Sequence, residues 1–181
     1  MSIIHISNIR SPHLIKVLFT RVGIFLLCLV PHTSVSQEKL KVDTSIILEC
    51  AKSQSPLTCI GDASNKCQGF HDDGFDGGTT KGITICINHE RNIWEQLVSK
   101  HEEKFSRYYG ELDRSSFKQT ISRAESFEQT QKSWRDYRNA QCRFQYSLRQ
   151  EGTIRSIAFA DCMLSITARR LLFLRDLQKE D

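Results

Sequence analysis

The sequence predicts an all-α protein: a small disulfide-stapled helical bundle with a long Gly/Asp loop after two short N-terminal helices. Three observations carry that prediction. Apolar residues recur every three or four positions from Cys86 onward, the period of amphipathic helices. All three prolines lie at or before Pro56, so none interrupts the later helices. Six cysteines follow a stretch with the features of an export signal, an even number suited to cross-links in an oxidising compartment.

The N-terminus comes first. Arg10, Lys16 and Arg21 precede any acidic residue, the apolar run VGIFLLCLV occupies 22–30, and the small residues SVS follow at 34–36. That order is the order of a secretory signal, with cleavage expected after Ser36. The run is far shorter than the roughly 20 apolar residues that span a bilayer, so no stable membrane anchor is expected after cleavage. Residues 1–36 are therefore assigned as signal peptide and 37–181 as one helical domain, with a Cys-rich part at 37–85 and a helical core at 86–181. Removing the signal takes three of the 25 basic residues, leaving 22 against 21 acidic ones. The basic pI thus belongs mostly to the export segment, and a nucleic-acid partner is not expected. The expected compartment is the periplasm or the outside of the cell.

Within the domain, DTSIILECAKS predicts a short helix starting at Asp43, QSPLT a turn, and CIGDASNKC a second short helix. QGFHDDGFDGGTT predicts a loop, with Thr79 or Thr80 capping the helix that follows. The long stripe from Ile87 through Trp94, Phe105 and Tyr109 is expected to break between Tyr109-Gly110 and Ser116. A second stripe runs from Phe117 to Cys142, with a polar interruption at Gln129–Lys132 that reads as a kink or a new helix start. Glu151-Gly152-Thr153 supplies a turn, and a last helix carries Ile157 to Leu177.

Six cysteines allow 15 connectivities, and helix geometry narrows them. Cys142 and Cys162 lie at nearly matching heights on either side of the Glu151-Gly152 turn, given the rise of about 1.5 Å per residue. Cys50 and Cys59 are symmetric about the turn near Gln54-Ser55, which leaves Cys67 for Cys86 and closes the Gly/Asp loop. A zinc site is not expected, because the cysteines contain no CxxC pair.

The stretch WRDYRNAQC poses a separate question. Trp134, Tyr137, Arg138, Gln141 and Cys142 share one helical stripe, so an arginine stands where a helix normally buries apolar residues. Trp134 and Tyr137 are expected to pack in the core. Arg138 keeps its proton and needs an acceptor, and the expectation is a partly buried bridge to Glu90, joined by Arg170.

Catalytic signatures fail on inspection. His89-Glu90 begins like HExxH, but Ile93 replaces the second histidine. Asp72, Asp73 and Asp76 lack the spacing of a calcium loop, with Gly74 at its third position and Ile83 at its twelfth. No catalytic residue, metal or cofactor is assigned. The binding candidates are Phe70, His71, Asp72, Asp73, Phe75 and Asp76, which concentrate aspartates and aromatics in a loop with no basic residue before Lys81. Charge is also uneven: residues 37–130 carry 12 basic and 15 acidic side chains, residues 131–181 carry 10 and 6.

The chain resembles the lysozyme inhibitor LprI-like family. The resemblance rests on W-x-x-Y-R-x-x-x-C, a Gly-containing turn, a second cysteine and T-x-x-R, here Trp134, Tyr137, Arg138, Cys142, Gly152, Cys162, Thr167 and Arg170. CIG at 59–61, Cys67, GGTT at 77–80, Cys86, Glu90 and Trp94 resemble the longer members, so the likeness extends over about 50–177. Glu151 stands where many members have a glycine. The resemblance implies an exported helical protein and, in some members, an inhibitor of lysozyme. On that basis the 68–80 loop is expected to insert into or cover a lysozyme cleft. The competing expectation is an envelope interaction protein that inhibits no lysozyme.

Overall fold

The computed structural model describes residues 40–53, 55–69, 77–116 and 120–180, all within one compact unit, Ser34–Asp181. Five α-helices follow in order: α1 (Thr44–Lys52), α2 (Asp62–Gln68), α3 (Thr80–Ser115), α4 (Arg123–Ser147) and α5 (Ile154–Glu180). A 3-10 turn at Pro56–Thr58 joins α1 to α2. The described residues contain no strand, and the fold is the expected all-α, disulfide-stapled bundle.

Each start has a local cause. Asp43 caps α1 by accepting the Ser45 N–H at 3.0 Å, and Ser122 caps α4 by accepting the Glu125 N–H at 3.1 Å. Thr79 caps α3 by accepting the Gly82 N–H at 3.0 Å, so α3 begins six residues before Cys86. The break expected between Tyr109-Gly110 and Ser116 comes at the end of that stretch: α3 passes through Gly110, runs to Ser115 and is capped at Ser116. One helical glycine costs only about 1 kcal/mol relative to alanine. Here Tyr109 stacks on Phe105, and both rings lie against Phe127 of α4 at 5.6 Å. The interruption expected at Gln129–Lys132 is absent, and α4 runs through it unbroken. At the far end Gly152 adopts φ 85°, a left-handed conformation that glycine takes without steric cost and that lets α5 turn back along α4.

The core lies between α3, α4 and α5. Trp94, Leu164, Ala168 and Leu174 are fully buried there, and Ile47 extends the same cluster onto α1. The three disulfides are Cys50–Cys59, Cys67–Cys86 and Cys142–Cys162, with Cα separations of 5.7, 5.7 and 5.5 Å. The first joins α1 to the turn that precedes α2, the second joins α2 to α3, and the third joins α4 to α5. Across the α3–α4 turn Asp113 replaces a covalent link. Its carboxylate accepts from Ser122 Oγ at 2.9 Å, Ala124 N at 3.0 Å and Arg123 N at 3.2 Å.

Candidate partner-binding site

Two neighbouring arrangements decide what this fold presents. The first holds the stems of the Gly/Asp loop. Cys67 lies in the last turn of α2 and is bonded to Cys86, about one and a half turns into α3, so the chain leaves and re-enters at one place. Gly77 is buried against the first stem: a Cβ there would lie 2.5 Å from the Gln68 carbonyl oxygen, closer than any side chain permits. Thr80 Oγ1 and Thr153 Oγ1 share a hydrogen bond at 3.0 Å, which sets the returning stem beside the α4–α5 turn. Phe70, His71, Asp72, Asp73, Phe75 and Asp76 lie outside the described residues. What the fold defines is their frame.

Glu90 anchors that frame. It is buried at 1 % exposure, and its carboxylate accepts Gly61 N at 2.8 Å, Ser64 N at 2.7 Å and Trp94 Nε1 at 3.1 Å. A carboxylate at the start of α2 fills backbone donors that no residue within the helix satisfies. The expected Arg138–Glu90 bridge is therefore corrected. Glu90 already has three donors, and α2 covers it.

Arg138 instead forms the second arrangement. Its Nη1 donates to Glu95 Oε1 and to Thr167 Oγ1, each at 2.9 Å, tying α4 to α3 and α5 together. Its guanidinium lies 5.0 Å from the centroid of the Trp134 ring. Burial lowers the Arg138 pKa, and the neighbouring Glu95 carboxylate opposes that shift. Arg170 does not join this bridge. It donates to the buried Gln131 Oε1 at 3.1 and 2.7 Å through Nε and Nη2, and it lies 5.5 Å from the Trp134 centroid. Arg135 reaches Glu102 across the same α3–α4 seam. Trp134 is thus half-buried under three guanidinium groups, those of Arg135, Arg138 and Arg170, and packed against the main core.

Tyr137 is corrected as well. It is 58 % exposed, not packed in the core. The inward residues of α4 are Phe127, Gln131, Trp134, Arg138 and Cys142, and at 3.6 residues per turn Tyr137 falls roughly 100° from the centre of that stripe.

Glu95, Gln131, Glu102 and Asp113 were not singled out by the sequence reading. The signal for Glu95 was its position one helical turn and a residue beyond Glu90, on the level of Arg138. Nothing in the periodicity distinguished Gln131, a glutamine within an otherwise polar run. Among the described residues no group of three His, Cys, Asp or Glu side chains is placed to hold a metal ion. No helix among them is long and apolar enough to cross a membrane.

The family model described as lysozyme inhibitor LprI matches residues 73–174, more than half of the chain. This chain belongs to that family. The match begins inside the Gly/Asp loop and ends in α5, so it takes in the Arg138–Trp134 seam, Cys86 and both long-helix turns. No curated protein and no solved structure matches the chain significantly. The three disulfides accord with an oxidising compartment.

Proposed function

We propose that this protein is an exported inhibitor of lysozyme that protects the bacterial cell wall, and that it works without catalysis or a cofactor. Membership of the lysozyme inhibitor LprI family is the observation that carries the proposal. In this reading residues 1–36 are removed as a signal peptide, and 37–181 act as one domain in the periplasm or outside the cell.

The contact we assign is the 68–80 loop. Its fixed stems support that assignment, because a loop closed by Cys67–Cys86 and packed through Gly77 loses less freedom on binding than an open one. Animal-type lysozymes are basic proteins whose cleft holds two catalytic carboxylates. Asp72, Asp73 and Asp76 are drawn to the basic surface, and the association rate falls with added salt. Aspartate is repelled by the catalytic carboxylates themselves, so His71 is the residue assigned to meet them as a hydrogen-bond donor. Phe70 and Phe75 cover apolar parts of the sugar groove.

The test is inhibition of cell-wall lysis by purified 37–181, followed by His71→Ala and by a variant with Asp72, Asp73 and Asp76 changed to asparagine. Inhibition by the parent protein and weaker inhibition by both variants are expected. Equal inhibition by all three proteins excludes the loop as the contact.

A further inference from the structure

The outward side of α4 carries a stripe that the bundle does not use. Ser133, Tyr137, Ala140, Phe144 and Leu148 recur at intervals of four, three, four and four, which places them on one helical face. All five are exposed, Tyr137 at 58 % and both Phe144 and Leu148 at 55 %. None of them is charged. The bundle-facing seam of the same helix, through Gln131, Trp134, Arg138 and Cys142, is occupied by α3 and α5. Ordinary exposed faces of a helix this polar carry charges at such positions.

We propose that this face pairs with the same face of a second copy of the chain, as an antiparallel α4–α4 contact across a two-fold axis. Two features of the stripe select this occupant. The first is size. Large and small residues alternate as Ser133, Tyr137, Ala140 and Phe144. With the axis passing between Arg138 and Asn139, Tyr137 of one protomer meets the partner's Ala140, and Phe144 meets the partner's Ser133. Each ring then enters the space left by a small side chain, the knob-into-hole arrangement of paired helices.

The second feature is charge. Asp136 and Arg143 lie seven residues apart along the same edge of the stripe, and both are exposed. Neither has an ion-pair partner among the described residues. A two-fold antiparallel pairing keeps that edge on one side, so Asp136 of each protomer faces the partner's Arg143, twice over. A parallel pairing carries that edge to opposite sides of the contact, so Asp136 no longer meets the partner's Arg143. An isologous contact must be complementary to itself, and this face forms both ion pairs when the two helices run antiparallel. An anionic surface or a basic protein meets one of the two charges unfavourably.

A single helix pair is small beside stable protein interfaces, so the dimer is weak and concentration-dependent. Sedimentation of the mature protein over a concentration series tests it, with Asp136→Arg, Arg143→Asp and the double swap as variants. All positions are exposed, so each variant keeps its melting temperature and helical circular dichroism. The parent protein is expected to dimerise. Each single reversal should weaken the dimer roughly tenfold or more, and the double swap should restore it. Phe144→Ser should weaken dimerisation without restoring under any charge change. A parent protein that stays monomeric at every concentration overturns the proposal. So does a double swap that fails to recover what each single reversal lost. A monomer whose Phe144→Ser variant loses inhibition of lysozyme overturns it too, and gives the face to that partner instead.

Discussion

Residues 40–69 and the α3–α4–α5 frame are held by different means, and the difference follows from helix length. α1 and α2 have nine and seven residues, below the roughly 12–15 at which a helix persists without tertiary support. They are fixed by two disulfides and by the Glu90 carboxylate, which accepts backbone N–H groups of Gly61 and Ser64. α3, α4 and α5 have 36, 25 and 27 residues and bury a continuous apolar seam. One disulfide, Cys142–Cys162, is enough for them, and the remaining registration comes from side chains of Arg138, Gln131 and Arg170. A short segment that must hold a loop in place needs links to the backbone itself. A long helix needs only its height and rotation set.

The largest expected effect breaks the first region. Glu90→Ala removes the acceptor for three buried or part-buried donors, at about 4 kcal/mol of stability. The loss should be local: hydrogen exchange and proteolysis should show α2 opening before the long helices do. A variant that melts as one unit with no early opening would mean that the two regions are not separable.

Arg138→Ala tests the second region. Its side chain is 12 % exposed and Glu95 37 %, so the pair is incompletely desolvated and the expected loss is about 2–3 kcal/mol, seen as a lower melting temperature of the whole frame. Arg138→Lys should recover only part, since one ammonium group does not reproduce the planar fork held over Trp134. Loss of lysozyme inhibition with unchanged melting would place Arg138 at a contact surface.

Both regions were legible to different depths, for physical reasons. Period and height are one-dimensional properties, so the helices and the three cysteine pairs followed from spacing. The partner of Arg138 was not, because Glu90 and Glu95 both lie on α3 and the choice depended on what else needed a carboxylate. α2 needed it, and no residue in α3 announces that. Tyr137 failed for a related reason: a stripe drawn from Trp134 by threes and fours is wider than the seam that α3 and α5 cover. Gly77 stood inside a loop motif as an ordinary turn glycine, and only the approach of Gln68 shows why it has no side chain.

Opening Cys50–Cys59 by paired changes to serine should cost about 2–3 kcal/mol, given its nine-residue separation. The effect should again remain in α1 and the turn after it. A smaller effect sharpens the comparison from the acid side. Hydrogen bonding, led by the Ala124 N–H, lowers the Asp113 pKa. Its folded pKa lies below its unfolded one, so its stabilisation is complete above the unfolded carboxylate value and is lost as pH falls through the folded value. Melting temperature against pH should therefore fall less steeply in acid for Asp113→Asn than for the parent protein. Identical slopes would show that Asp113 does not couple the α3–α4 turn to folding.

In the proposed function the stapled end inhibits lysozyme and the long helices serve as its frame. Lysozyme inhibition titrated with the mature protein and with a Cys67→Ser/Cys86→Ser variant tests it most directly. The frame of that variant keeps Cys142–Cys162 and should still melt cooperatively. Inhibition by the parent protein is expected, and inhibition weaker by about tenfold once the loop stems are untied. Equal inhibition by the two proteins, or none by the parent against any lysozyme class, would contradict it.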